Sequence, residues 1–85
     1  MKMDHYVYII YSESKGVYYK GETSNLQKRI EEHNQGQGTY TRNKGPWVLC
    51  YAEKHKNRSD ALKREKALKR LNHRSIEKLI GSGIK

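Results

Sequence analysis

Two short runs rich in tyrosine and β-branched residues, 5–11 and 17–21, are separated by residues 12–16, a stretch of turn-forming residues that ends in Gly16. Runs of that length and composition read as strands, and so short a gap directs them into an antiparallel hairpin. Five of the seven tyrosines fall between positions 6 and 19, which strand propensity alone would explain. Thr23 or Ser24 can cap a helix that begins near Asn25 and ends before Gly36, with Leu26, Ile30 and His33 at helical spacing. A glycine-rich loop carrying Arg42 and Lys44 follows, and residues 47–53 read as a third strand. Ser59 offers an N-cap, and Asp60 suits the first turn of a long basic helix running to about Leu71. A short helix over 75–80 precedes a glycine-flanked tail, 81–85, which is expected to fray. The order ββαβαα predicts an α+β fold: a small three-stranded antiparallel sheet flanked by helices. One domain is expected over 1–85, with its core at about 5–80.

The chain has 85 residues, 34% of them apolar, with no phenylalanine and one tryptophan, Trp47. That suffices for a modest core between a sheet and its helices. Nothing reads as a transmembrane run and the opening MKMDHY has no apolar signal core, so a cytoplasmic location is expected. The lone Cys50 excludes an internal disulfide and fits a reducing compartment. Beside Val48, Leu49 and Tyr51, with no activating base nearby, it reads as a strand hydrophobe rather than a nucleophile. Eighteen Lys and Arg against nine Asp and Glu leave a net charge of +9. Ten of those eighteen cations lie between positions 54 and 78, the footprint of a polyanion partner. Anionic membrane is a weaker fit, because the apolar faces are committed to a core. A merely solvated basic surface, as on a ribosomal protein, is the plainer alternative.

A hairpin register that pairs Tyr11 with Gly16, leaving 12–15 as the loop, sets Tyr8 opposite Tyr19 on one face. A slip of one residue would part them, and simple cross-strand packing would account for the pair equally well. On the first helix, Arg29 and His33 are four apart and share the stripe of Leu26 and Ile30. A buried charge there needs a partner or a cleft; alternatively Arg29 snorkels and His33 serves the helix C-terminus. On the long helix, Glu65 falls in the apolar stripe with Ala61, Leu62 and Leu68. It either pairs with Lys69 or holds a metal ion. Two phenols, an arginine with a histidine, and a carboxylate suit phosphodiester hydrolysis. A carboxylate-bound divalent cation acidifies water, and arginine grips phosphate oxygen. Nearby cations move a phenol toward ionisation, so that it can act as a base, and histidine can orient or relay the proton.

The spacing Tyr8…Tyr19-Lys20-Gly21…Arg29…His33…Glu65 resembles the GIY-YIG nuclease domain, across roughly 5–80. The YVYII string, the Tyr-Thr-Arg loop at Tyr40–Arg42 and the Arg-Glu-Lys string at Arg64–Lys66 are most similar to the short stand-alone, UvrC-like bacterial members. The resemblance implies that Tyr8 and Tyr19 line the active site and that one of them helps activate water. It further implies that Arg29 binds phosphate, that His33 stands near the nucleophile and that Gly21 is structural. Glu65 would coordinate one Mg2+ or Mn2+. The activity so implied is a metal-dependent DNA endonuclease of repair or recombination leaving 3′-hydroxyl and 5′-phosphate ends; the sequence leaves RNA open as the alternative nucleic acid. Arg42, Lys44, Arg58, Lys63, Lys66, Lys69 and Arg70 are the cations expected on nucleic acid, and no obligate protein partner is expected. The alternative is a nucleic-acid-binding module without turnover. Three departures bear on that choice: Tyr6 stands for the family's glycine, Lys20 for an apolar residue, and Glu22 for the lysine of UvrC-type members. Asn72 is the nearest candidate for the late asparagine of larger relatives.

Overall fold

In the computed structural model, which describes residues 4–83, the chain forms β1 (His5–Ser12), β2 (Val17–Thr23), α1 (Leu26–Asn34), β3 (Trp47–His55), α2 (Arg58–Lys69) and α3 (His73–Gly83). The order is the ββαβαα expected. The three strands make one antiparallel sheet in the order β2-β1-β3. Val7, Tyr8, Ile9 and Ile10 of β1 are all buried. A central strand covered on both faces needs such an unbroken apolar run. Side chains alternate between two cores. Val7 and Ile9 pack with Ala61, Leu68 and Ile76 beneath α2 and α3. Tyr8 and Ile10 pack with Trp47, and Leu26 and Ile30 of α1 close that side.

The hairpin register differs from the one expected. Tyr8 lies opposite Gly21 and Tyr19 opposite Ile10, because Ser12 pairs with Val17 and the loop is 13–16. Ser12 is held in the strand: its buried hydroxyl donates to the Lys44 carbonyl at 2.5 Å and accepts from the Lys15 N–H at 3.1 Å. A shift of two residues keeps every side chain on its face. The two phenols therefore remain on one side as diagonal neighbours, ring centroids 6.5 Å apart.

Asparagines, not the expected Thr23, Ser24 and Ser59, begin the helices. Asn25 accepts from the Lys28 N–H at 3.1 Å and Asn57 from the Asp60 N–H at 2.8 Å. Asn72 accepts from the Ser75 N–H at 2.9 Å, which starts α3 earlier than expected. Helix α3 is assigned through Gly83, and 84–85 lie outside the described residues. In β3, Cys50 is the extra residue of a bulge between Leu49 (opposite Ile10) and Tyr51 (opposite Ile9). Burial pushes its thiol pKa up, in keeping with a strand role. Glu53 ties β3 to α2, accepting from Arg64 Nε at 2.9–3.0 Å and pairing with His55 at 3.1 Å.

Candidate functional site

Tyr8 reaches from the central strand across β2, where its ring lies on Gly21. A Cβ at Gly21 would stand 2.5 Å from the phenol oxygen and 2.6 Å from Cζ, so any side chain there would occupy the ring's place. Beyond Gly21 the phenol meets His33 Nε2 at 2.7 Å, and His33 Nδ1 meets Thr41 Oγ1 at 2.7 Å. All three residues are buried. Gly38 makes the far end possible, since a Cβ there would overlap Thr41 Oγ1 and come within 3.1 Å of His33 Nδ1. The loop bearing Thr41 is pinned in turn. Trp47 Nε1 donates to the Thr41 carbonyl at 3.1 Å, and Asn34 accepts the Trp47 backbone N–H at 2.7 Å.

Burial, reinforced by Tyr19, pushes the Tyr8 pKa up to about 12; Arg29 pulls it down less strongly, and Glu65 adds to the rise. The expectation that cations would ionise this phenol fails, because desolvation outweighs the arginine. A neutral buried hydroxyl must donate its proton, and Arg29 offers only donors. The acceptor is therefore His33 Nε2, which leaves Nδ1–H to donate to Thr41. Burial first, and then Arg29, lower the His33 pKa to about 4, so the ring is neutral at pH 7.

That depression predicts acid sensitivity. The unfolded imidazole takes a proton near its ordinary pKa of 6.5 while the folded one resists to about 4. This contribution to stability is intact above pH 6.5 and is lost as pH falls toward 4, by about 3 kcal/mol. Urea unfolding across that range should show the slope, and His33→Gln should flatten it. An unchanged slope in the variant would refute the assignment.

Arg29 stands at the rim of this cluster, its Nη1 on Glu32 at 2.9 Å; that pairing is the main reason its pKa is raised. Tyr19 lies edge-on to His33, centroids 5.1 Å apart. Glu65 approaches from α2, on the other side of the sheet. Its carboxylate is 16% exposed and takes Lys69 Nζ at 2.9 Å, the pairing weighed from its spacing. Ser59, Leu62, Lys63, Lys66 and Lys69 line a groove with it. Leu62, expected in the apolar stripe, is 40% exposed. Arg58 is turned toward Glu22 at 3.7 Å, and Arg42 Nε donates to the Gly36 carbonyl at 3.3 Å. Lys44 lies against Tyr40, and Arg70 is exposed at the end of α2. Asn72 caps α3 and supplies no group to the cluster. Sequence reasoning missed Thr41, Gly38 and the anchors Asn34 and Trp47. The signal for Thr41 was present in the Tyr-Thr-Arg string, but nothing in its spacing tied it to His33.

The strand order and the Tyr8 cluster define a class. Residues 4–79 match the model of the GIY-YIG catalytic domain, and the chain belongs to that nuclease-fold family. A UPF0213 protein of Halobacterium salinarum is 41% identical, the match covering 88% of this chain and 97% of that protein. A UPF0213 protein of Clostridium perfringens is 42% identical over 92% of this chain and 84% of its own length. The solution NMR structure of a UPF0213 protein from Bacillus halodurans superposes with a TM-score of 0.60 at 35% identity, over 93% of this chain and 84% of that one. The solution NMR structure of a protein from E. faecalis gives 0.64 at 33% identity, over 96% and 90%. Among the described residues, no helix is long and apolar enough to cross a membrane.

Proposed function

We propose that the protein is a divalent-metal-dependent DNA endonuclease of the cytoplasm, acting in repair or recombination. The observation that carries this reading is the convergence on one phenol. Tyr8 is backed by Gly21, bonded to His33, and within electrostatic reach of both Arg29 and Glu65. Among the described residues no three His, Cys, Asp or Glu side chains cluster as a metal cage. One carboxylate in an open groove instead fits Mg2+ or Mn2+, hard cations bound through few protein oxygens plus water and substrate phosphate. Glu65 would hold the ion once Lys69 releases it, and the ion would supply an acidified water and charge neutralisation at phosphate. Arg29 grips a non-bridging oxygen through its planar fork. The Tyr8 oxygen, its own proton held by His33 Nε2 at 2.7 Å, accepts a hydrogen bond from the attacking water and orients it, and the proton of that water would leave to solvent. Tyr19 walls the cluster beside His33.

A second reading, a binding module without turnover, draws on the hold of Lys69 on Glu65. A panel of labelled linear, nicked and branched DNAs separates the two. Cleavage that appears with Mg2+ or Mn2+, disappears in EDTA and leaves ligatable 3′-hydroxyl ends supports the nuclease. Salt-sensitive binding with no cleavage of any substrate overturns it in favour of the module.

A further inference from the structure

Beside the Tyr8 cluster, at the open edge formed by β2, Tyr18, Tyr19, Lys20, Tyr40 and Lys69 line a shallow groove. It presents phenol rings and two ammonium groups, of which Lys69 is paired with Glu65 at 2.9 Å and would turn from it to meet a phosphate. Tyr19 is fixed from beneath, edge-on to His33 at 5.1 Å and to Trp47 at 6.4 Å. Tyr40 stacks on it, centroids 5.6 Å apart with planes inclined by 21°, yet remains 48% exposed. The Lys44 ammonium sits 4.4 Å from the Tyr40 ring centroid and donates to the Tyr40 carbonyl at 2.6 Å. An aromatic column thus ends in an accessible ring shared with one cation, Lys44.

Resting on the nucleic-acid reading above, we propose that this groove receives an unpaired nucleotide of a DNA strand. The base stacks on Tyr40 in place of the Lys44 ammonium, and the neighbouring phosphates meet Lys20 and Lys69. Stacking of a base on an aromatic ring is stronger than a cation–π contact at an exposed ring, so the exchange is favourable. The displaced Lys44 becomes a further phosphate contact. A duplex offers no free base face, so the groove selects single-stranded, frayed or branched DNA.

The test is fluorescence anisotropy with a short labelled oligothymidine and a matching duplex, in EDTA so that cleavage plays no part. The single strand should bind more tightly than the duplex. Tyr40→Ala should weaken single-strand binding about tenfold, leaving duplex affinity and the salt slope unchanged. Tyr40→Phe, which keeps the ring, should bind as the wild type does, and Lys20→Ala should lower the salt slope by about 0.7. Duplex binding as tight as single-strand binding, or a Tyr40→Ala loss equal on both, overturns the proposal. Because no metal is present, this outcome is independent of turnover. A protein that shows the Tyr40 effect but never cuts upholds the groove and sinks the nuclease; one that cuts without the Tyr40 effect does the reverse.

Discussion

Replacing Glu65 with alanine is expected to reduce Mg2+-dependent cutting about a thousandfold, while DNA affinity measured in EDTA stays the same or rises slightly. The asymmetry follows from the ion pair: Glu65 neutralises Lys69 at 2.9 Å, so its removal frees a cation for phosphate. Arg29→Ala should cause a loss of similar size for a different reason, the missing grip on phosphate. Thermal melts separate either loss from unfolding. The Arg29–Glu32 pair leaves the two side chains 34% and 26% exposed, and exposed pairs contribute at most about 1 kcal/mol. Thermal melts should therefore overlay for wild type and both variants. Equal cutting by all three preparations would mean a contaminating nuclease and would end the proposal.

Gly21→Ala is expected to lower stability by about 3 kcal/mol and to abolish the site geometry with it. The new methyl would lie 2.5 Å from the Tyr8 oxygen and 3.0 Å from Cε1. The ring has nowhere to retreat, being 1% exposed and bonded to His33 at 2.7 Å. Double-mutant analysis isolates the cause. In a Tyr8→Leu background the same Gly21→Ala change should cost far less, because the atoms it strikes are gone. Gly81→Ala is the control: nothing lies within 4 Å of that position in α3, so alanine there should stabilise the helix by about 0.5–1 kcal/mol. A Gly21→Ala penalty that is the same in both Tyr8 backgrounds would show that the close approach is not what the glycine serves.

The strands and helices were legible because apolar alternation and helical spacing are local. The register was not, because a period of two assigns a face and leaves displacements by two residues equivalent. Tyr8 and Tyr19 were thus placed on the right side in the wrong pairing. The caps were misplaced for a similar reason: Ser24 and Asn25 can both cap, and the packing of the apolar stripe decides between them. Charge pattern alone misjudged the Tyr8 phenol, since the burial that governs it depends on α1 closing over the sheet. Thr41 reaches His33 through a loop with no periodicity, so only three-dimensional structure could join them.

Glu22 carries a consequence for how this edge of the sheet can be redesigned. It lies opposite Val7, 10% exposed, with His5 Nδ1 at 2.8 Å and Arg58 at 3.7 Å. A lysine introduced here would face those two groups with no counterion among them. Arg58 is a fixed cation at that range, so the exchange trades an attraction for a repulsion. The acid at this position therefore serves its neighbours, and a lysine is best introduced there together with the removal of Arg58.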